Sequence, residues 1–247
     1  MKTIIVLPTY NESKNLPKLF ETIFALNITG LCLCVVDDAS PDGTGDIAEK
    51  LNAKYTGRVH VIHRKGKFGL GTAYIDGFKY ALKQNADYVG QMDSDFSHPI
   101  DKIPEMINAM GQADIVIGSR YIEGGMLDAN WSIWRKLLSR FGNEYAKTIL
   151  RMPINDITGG FRLWHRYVLE EMPLAEIKSN GYAFQIETAY LAMKLGYRFK
   201  EIPIYFANRL WGKSKLDFRI QMEAVFQVWE MIYRYRNIEK VQRPLGK

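Results

Sequence analysis

The 247 residues are 47% hydrophobic and 24% charged, a composition typical of a globular protein with enough chain for one large core. The longest uncharged segment, 22–36, is broken by Asn27 and Gly30, and a strand follows Met1-Lys2 directly. These features exclude a membrane-spanning helix in that segment and a signal sequence at the start, so we expect one domain in the cytoplasm.

The net charge of +6 is concentrated near the end of the chain. Residues 198–247 hold 11 Lys and Arg but only 5 Asp and Glu. A basic end indicates an anionic partner, either the phosphates of a substrate or the head groups of a membrane. Nucleic acid is disfavoured, because no recognition fold is visible and aromatic residues do not alternate with the basic ones. Cys32 and Cys34 share one face of an apolar run and are expected to be buried thiols.

Strands and helices alternate along the chain. Apolar runs predict strands at 2–7, 31–36, 59–63, 88–92, 114–118 and 199–206. Helices are predicted to end near Leu26, Lys54 and Lys83, with Asn11 or Ser13 capping the first. Because each strand is almost continuously apolar, the pattern favours an α/β fold with a mostly parallel central sheet and helices on both faces. In such sheets, functional residues collect at the carboxyl ends of the strands.

Polar clusters follow three of these strands: Pro8-Thr-Tyr-Asn-Glu12, Asp37-Asp38 and Asp93-Ser-Asp95. Side chains alternate along an extended chain, so Asp93 and Asp95 can point the same way and hold a hard divalent cation, which in turn holds a diphosphate. The structural alternative is that Asp93 opens a turn and that Asp95 or Ser97 caps a helix near Asp101. Three clusters at one sheet edge favour a nucleotide-sized site.

The usual glycine motifs of nucleotide sites are missing. No G-x-G-x-x-G follows the first strand, Gly69-Leu-Gly71 follows the third with the wrong spacing, and no Walker lysine sequence is present. A nucleotide that is held by acids and a cation, without a glycine cradle, points to a sugar nucleotide.

Six short segments resemble those of a known family. They are residues 8–12 (Pro-Thr-Tyr-Asn-Glu), 35–44 (Val-Val-Asp-Asp-Ala-Ser-Pro-Asp-Gly-Thr), 69–74 (Gly-Leu-Gly-Thr-Ala-Tyr), 92–99 (Met-Asp-Ser-Asp-Phe-Ser-His-Pro), 118–121 (Gly-Ser-Arg-Tyr) and 156–162 (Asp-Ile-Thr-Gly-Gly-Phe-Arg). In this order they resemble the inverting GT-A glycosyltransferases of family 2, and among them the dolichyl-phosphate (polyprenyl-phosphate) mannose synthases. The resemblance implies a GT-A nucleotide-sugar-binding domain over 1–217, and the residue pattern predicts an amphipathic helix and a basic tail over 218–247.

The resemblance also implies an activity and residue roles. The enzyme would transfer mannose from GDP-mannose to a polyprenyl (dolichyl-type) monophosphate, with Mg²⁺ or Mn²⁺. The base and ribose would be held by Pro8, Tyr10, Glu12, Asp37 and Asp38. The cation and the sugar would be held by Asp93 and Asp95, with Ser97 completing the metal side. The residues facing phosphates and acting in catalysis with Asp95 would be Arg120, Arg135, Arg209 and Lys215.

The loop that carries Arg209 and Lys215 stands out from the residues alone. Most basic residues of a sequence are solvated charges, but these two flank Trp211 in a loop that contains Gly and Ser. A mobile loop with two cations can close over a diphosphate and exclude water. Elsewhere, Arg162 is a candidate to pair with Asp156, and Gln185-Ile-Glu187 a candidate to shape the acceptor side.

A phosphate acceptor simplifies the chemistry. Its second pKa of about 6 leaves an anionic oxygen nucleophile at neutral pH, so no carboxylate base is required. The protein must hold two anions together while the leaving diphosphate is neutralised. The alternatives are the same reaction with UDP-glucose or another nucleotide sugar, and a non-catalytic nucleotide-sugar-binding subunit.

Residues 218–236 are predicted to form an amphipathic helix. Its apolar stripe consists of Phe218, Met222, Val225, Trp229 and Ile232. Such a helix either lies in a membrane interface, with Trp229, Tyr233 and Tyr235 at the head groups, or packs on the protein's own core. A membrane surface or a separate membrane subunit would bring the enzyme to its lipid.

Overall fold

The computed structural model describes residues 1–209 and 218–241, with the side chains of the second range described from Phe226 onward. The strands are β1 (Thr3–Thr9), β2 (Leu31–Asp37), β3 (Val59–His63), β4 (Tyr88–Gln91), β5 (Ile115–Ser119), β6 (Met126–Leu127), β7 (Arg162–His165), β8 (Phe199–Pro203) and β9 (Tyr205–Phe206). The helices are α1 (Leu16–Ala25), α2 (Thr44–Lys54), α3 (Leu70–Lys83), α4 (Ile103–Ala109), α5 (Ile133–Leu150), α6 (Arg166–Glu171), α7 (Gly181–Lys194) and α8 (Phe218–Arg234). The predicted site residue Lys215 therefore lies outside the described residues.

Seven strands form the central sheet, in the order β3-β2-β1-β4-β7-β5-β8. All neighbouring pairs are parallel except those of β7, which runs antiparallel to both β4 and β5. The predicted α/β fold with a mostly parallel sheet is confirmed. Strand β7 was not among the predicted strands, because a buried arginine at its start interrupts the apolar pattern. The run predicted as one strand at 199–206 divides at Ile204, where β9 leaves the large sheet to pair with β6.

Two apolar clusters cover the two faces of the sheet. Alternate residues of β1 divide between them, with Ile4 and Val6 on one side and Ile5 and Leu7 on the other. Helices α3, α6 and α7 pack on the first face, and α1, α2 and α4 pack on the second. Helices on both faces are thus confirmed. Cys34 belongs to the first cluster, and burial raises the pKa of its thiol to about 12.

Helix α1 starts later than predicted. Its first residue is Leu16 and Asn15 occupies the N-cap without a side-chain cap bond, so capping by Asn11 or Ser13 is wrong. The reason is that side chains after β2 hold the intervening backbone outside the helix. The N–H of Asn11 donates to Ser40 Oγ at 3.0 Å, and the N–H of Ser13 donates to Asp42 Oδ2 at 3.2 Å.

One face of the last helix packs on the protein itself over the residues whose side chains are described. Val228 and Met231 of α8, and Tyr235 directly after it, are buried in the first cluster. This burial confirms the core-packing alternative for this face. Tyr235 is 1% exposed, so its predicted place at lipid head groups is wrong. The boundary at 217/218 stays a prediction. Within the described ranges, no helix has the length and apolarity needed to cross a bilayer.

Candidate functional site

The acidic turn after β4 has a constrained backbone. The carboxylate of Asp95 accepts the N–H of Ser97 at 3.0 Å, and the ring nitrogen Nδ1 of His98 accepts the N–H of Asp93 at 3.1 Å. Between them, Phe96 has a φ of 64°, a left-handed conformation that is costly for a bulky residue and is concentrated at functional sites. The alternative that Asp95 or Ser97 caps a helix is wrong, because Pro99 is the N-cap of a short 3-10 helix (Ile100–Lys102) and Lys102 is the N-cap of α4.

Two aromatic groups support this turn from below. The ring of His98 stacks on Phe161 at 5.1 Å, and burial lowers the pKa of the imidazole, which keeps it neutral as an acceptor. The hydroxyl of Tyr74 donates to Asp93 Oδ1 at 3.2 Å. Burial, and then the charge of Asp93, raise the pKa of Tyr74, so it remains a donor. Neither residue was assigned a role from the sequence.

The three predicted polar clusters meet at the sheet edge. Thr9 Oγ1 donates to Asp37 Oδ1 at 3.0 Å, which joins the ends of β1 and β2. Ser94 Oγ donates to the carbonyl oxygen of Pro8 at 3.0 Å, which joins β1 to the acidic turn. The N–H of Glu12 donates to Thr44 Oγ1 at 2.9 Å. The convergence predicted from parallel strands is therefore present in the structure.

Asp37 and Asp38 hold the loops that form the predicted base and ribose side. Asp37 is 3% exposed and accepts from Ser40 as well as Thr9. Asp38 is 5% exposed, accepts the N–H of Gly69 at 2.8 Å and pairs with Arg64. The structure thus gives both carboxylates loop partners, and their contact with a ligand stays a prediction.

An aromatic side chain lies at the edge of the same region. The ammonium of Lys67 is 4.1 Å from the ring centre of the half-buried Tyr10. An aromatic ring and a cation therefore lie together at this edge of the site. A planar base stacks on such a ring.

Arg209 lies against the acidic turn. Its Nε is 2.7 Å from Asp95 Oδ2, and its side chain is 30% exposed. The segment that carries it is fixed on both sides. The N–H of Ala207 donates to the carbonyl oxygen of Ser97 at 3.1 Å, and the N–H of Asn208 donates to Asp128 Oδ2 at 2.9 Å. Asp128, which the sequence did not single out, therefore helps to position Arg209.

The first turn of α5 adds a second cation with unused donors. The guanidinium carbon of Arg135 lies 3.5 Å from the ring centre of Trp131, and its Nη1 is 3.5 Å from Asn208 Oδ1. In the described part of the chain, Arg135 Nε and Trp131 Nε1 are buried N–H groups without a hydrogen-bond partner. Buried donors are normally paired, so two adjacent unpaired ones indicate an anionic or polar ligand at this place.

Arg120 differs from the expectation that it faces phosphates. Its Nε and Nη2 donate to the two oxygens of Asp156, each at 2.7 Å, and Nη2 also donates to Thr158. The side chains of this pair are 6% and 0% exposed. Burial raises and Arg120 lowers the pKa of Asp156, and the net direction is downward. Arg120 is therefore engaged in a buried ion pair, and a phosphate contact remains only a prediction.

Three other sequence candidates are structural in this fold. Arg162, expected to pair with Asp156, instead donates to the carbonyl oxygens of Gly159, Ile157 and Gln185. Burial lowers the pKa of this guanidinium to about 10. The side chain of Gln185 accepts from Gln91 at 2.5 Å, and Glu187 is fully buried against Arg234 and Tyr235. Both side chains are therefore turned into the core, and a role of Gln185 and Glu187 in shaping the acceptor side stays a prediction.

Tyr182 is a further candidate site residue that the sequence did not single out. It lies in the first turn of α7, is 41% exposed and interacts electrostatically with four predicted site residues, Asp93, Arg120, Arg135 and Arg209. Partial burial, and then the charge of Asp93, raise the pKa of its hydroxyl. A tyrosine in the first turn of a helix carries no signal of function by itself.

The acidic turn fits a divalent cation that also binds substrate. Among the described residues, no three His, Cys, Asp or Glu side chains group closely enough to hold a metal ion. Asp93 and Asp95 supply two carboxylates from one turn. Mg²⁺ commonly binds one or two carboxylates and completes its octahedron with water and substrate phosphates, so this donor set fits such an ion. The metal role of Ser97 stays a prediction.

Residues 4–172 match the model of the family described as Glycosyl transferase family 2. This match covers more than half of the chain and includes the strand ends and the acidic turn. The protein therefore belongs to glycosyl transferase family 2, as the resemblance predicted.

Two relatives are similar to this chain over almost its whole length. The chain is 40% identical over 237 residues to a polyprenol monophosphomannose synthase of Mycolicibacterium smegmatis, covering 95% of this chain and 88% of the relative. It is 39% identical over 242 residues to an undecaprenyl-phosphate mannosyltransferase of Micrococcus luteus, covering 96% and 98%.

A solved structure supports the fold. A mannosyltransferase from Pyrobaculum calidifontis, solved with GDP-Man and Mn²⁺, superposes with a TM-score of 0.64 over 98% of this chain and 66% of that protein. The identity is 17%, so this similarity concerns the GT-A fold alone.

Proposed function

We propose that this protein transfers mannose from GDP-mannose to a polyprenyl monophosphate, with inversion at the sugar carbon and with Mg²⁺ or Mn²⁺ as cofactor. The observation that carries the proposal is the Asp95–Arg209 contact at the end of β4, with the unpaired donors of Arg135 and Trp131 nearby. This edge offers carboxylates for a cation and separate N–H groups for anions. The names of the two relatives support a mannosyl donor and a polyprenyl-phosphate acceptor.

The donor is proposed to lie along the ends of β1 and β2. Tyr10 provides a ring for the base, and the loops tied to Asp37 and Asp38 shape its edge and the ribose side. The diphosphate then reaches the acidic turn, where Asp93 and Asp95 would hold the cation. The cation supplies charge neutralisation for the leaving diphosphate.

The acceptor phosphate is proposed to bind between Arg135 and Arg209. Arg135 contacts the side chain of Asn208, and Arg209 is the next residue along the chain. Two cations stabilise an anionic nucleophile, and Trp131 Nε1 offers a further donor. The acceptor needs no deprotonation, since its oxygen is already anionic near neutral pH. The phosphate acceptor thus accounts for a site that is richer in cations than in candidate bases.

The test uses a short-chain, water-soluble polyprenyl phosphate, so that no membrane is needed. Purified protein is incubated with labelled GDP-mannose, UDP-glucose or dTDP-glucose, with Mn²⁺, Mg²⁺ or chelator. We expect label from GDP-mannose in an organic-extractable product whose mannose has the opposite anomeric configuration to the donor, and no label with chelator.

Other outcomes identify the alternatives. Label from UDP-glucose alone would overturn the proposed donor. Transfer that is undiminished by chelator would overturn the cofactor. Donor binding without transfer to any acceptor would indicate a nucleotide-sugar-binding subunit.

A further inference from the structure

Helix α5 has apolar residues on two opposite faces. Ala146 and Leu150 are buried toward the core. On the other side, five large side chains are exposed, and Trp134 is 81% exposed. They are Ile133, Trp134, Leu137, Leu138 and Phe141. Their spacing of i, i+1, i+4, i+5 and i+8 forms one stripe along a helix of 3.6 residues per turn. A contiguous exposed stripe of this kind marks an interaction surface.

Helix α8 extends this stripe. Phe226, Trp229 and Tyr233 are exposed to 70%, 56% and 69%, on the side away from its buried residues. The two helices are joined at Tyr145. Its hydroxyl accepts a hydrogen bond from Trp229 Nε1 at 2.9 Å, and its ring stacks on Phe141. The eight exposed side chains of α5 and α8 therefore form one continuous surface, here called the α5–α8 surface.

Cations border this surface. Lys136, Arg140 and Lys147 follow one another at helical spacing along one flank of the α5 stripe, and Glu144 is the acidic residue of this helix. On α8, the guanidinium of Arg236 lies 3.9 Å from the ring centre of Tyr233. An apolar stripe with Trp and Tyr beside Lys and Arg is complementary to a bilayer with anionic head groups. A symmetric pairing with a second copy would instead bring these cations together.

The α5–α8 surface lies directly beside the candidate functional site. Arg135 belongs to the same helical turn as the exposed Ile133 and Trp134, but its side chain is turned toward Trp131 and Asn208. A phosphate held at Arg135 would therefore have its hydrocarbon chain beside the α5 stripe.

We propose that the α5–α8 surface docks on an anionic bilayer and presents the site to a phosphate at the lipid surface. The inference rests on the proposed polyprenyl-phosphate acceptor. It assigns the principal lipid contact to α5, whereas the sequence pointed to α8 alone.

The experiment compares one acceptor chemistry in two settings. Trp134→Ser/Phe141→Ser removes two largely exposed rings, so folding is expected to be intact, and the melting temperature verifies it. We measure co-flotation with phosphatidylcholine vesicles that contain or lack phosphatidylglycerol. We also measure transfer to a long-chain polyprenyl phosphate in those vesicles and to the short-chain, soluble acceptor. We expect vesicle binding and transfer in vesicles to fall roughly tenfold or more, while transfer to the soluble acceptor stays unchanged.

Two charge-reversal variants test the cations that flank the α5 stripe. Arg140→Glu is expected to weaken binding to phosphatidylglycerol vesicles. Lys50→Glu on α2, which packs on the other face of the sheet, is the matched control. Unchanged binding and transfer in the double variant would overturn the proposal. So would a wild-type dimer that the double variant converts to monomers, because the surface would then contact a second copy. If the wild type binds vesicles but transfers to neither acceptor, the proposed function fails while the docking surface stands.

Discussion

Nε of Arg209 lies 2.7 Å from Oδ2 of Asp95, although the two residues are far apart in the sequence. The contact joins the segment after β9 to the acidic turn after β4. It places the guanidinium of Arg209 on a carboxylate oxygen of a proposed metal ligand. The proposed metal-binding side and phosphate-binding side of the site therefore share this oxygen. Two predictions depend on this relationship.

The first prediction concerns the acidic turn. Asp95→Ala is expected to abolish transfer and the metal-dependent part of donor binding, because the leaving diphosphate loses the ion that neutralises its charge. Initial rates and the rise in melting temperature with GDP-mannose, with and without Mn²⁺, measure both effects. Asp101→Ala, an exposed acid a few residues away, is the control. Near wild-type transfer by Asp95→Ala in the presence of chelator would refute the metal assignment.

The second prediction separates the two functions of Arg209. Arg209→Ala is expected to lower kcat/KM by a factor on the order of 10², since a phosphate contact of ~3 kcal/mol is lost. A guanidinium and a metal ion compete for the same Asp95 oxygen, so the variant should bind Mn²⁺ more tightly in the absence of nucleotide. Mn²⁺ titration followed by electron paramagnetic resonance measures this affinity.

The test is decisive because kcat/KM is expected to fall while the affinity for Mn²⁺ is expected to rise. A solvated arginine would change neither quantity, and a merely structural one would lower the melting temperature instead. Lys50→Ala provides an exposed basic control. Lys215→Ala is expected to lower kcat/KM to a similar extent, as the sequence predicts for the same loop.

The third prediction concerns the buried pair of Asp156 and Arg120. Asp156→Asn leaves the guanidinium buried without its counter-charge and should destabilise the protein by about 3 kcal/mol at neutral pH. The folded-state pKa of Asp156 is lowered, so its contribution is complete above its unfolded pKa of about 3.9 and is lost as the pH falls through the folded value. Urea unfolding at pH 7 and at stepwise lower pH should therefore show the difference between wild type and variant shrinking below about pH 4. A difference that stays constant over this range would contradict the ion pair.

The fourth prediction concerns Asn180, the N-cap of α7. Its Oδ1 accepts the N–H of Gly71 at 2.7 Å, and its Nδ2 donates to the carbonyl oxygen of Phe68 at 3.1 Å. These bonds hold the segment that Asp38 binds from the other side. Asn180→Ala is expected to raise KM for the nucleotide sugar by up to about tenfold with little change in kcat, since each bond contributes about 1 kcal/mol.

Asn180→Asp keeps the acceptor and loses the donor, so an intermediate KM is expected. Lys178→Ala, an exposed neighbour, is the control. An unchanged KM in Asn180→Ala, measured with a normal melting temperature, would show that the segment does not shape the donor side.

The strand ends and their acids were predictable from the sequence. Apolar runs identify buried strands, and parallel strands of a covered sheet bring their carboxyl ends to one edge, so Glu12, Asp38 and Asp93 had to gather there. The predicted bounds of the first five strands agree with the structure to within two residues, whereas the sixth run, 199–206, divides into two strands.

Only the tertiary structure decided which partner each charge takes and what each apolar face contacts. Arg120 and Arg162 look alike in sequence, yet one meets Asp156 and the other meets backbone carbonyls. The stripe of α5 follows the same period as a core-facing stripe, although Trp134 is exposed to solvent. The physical reason is that periodicity is a local property of one element, whereas pairing and burial depend on elements that are distant along the chain.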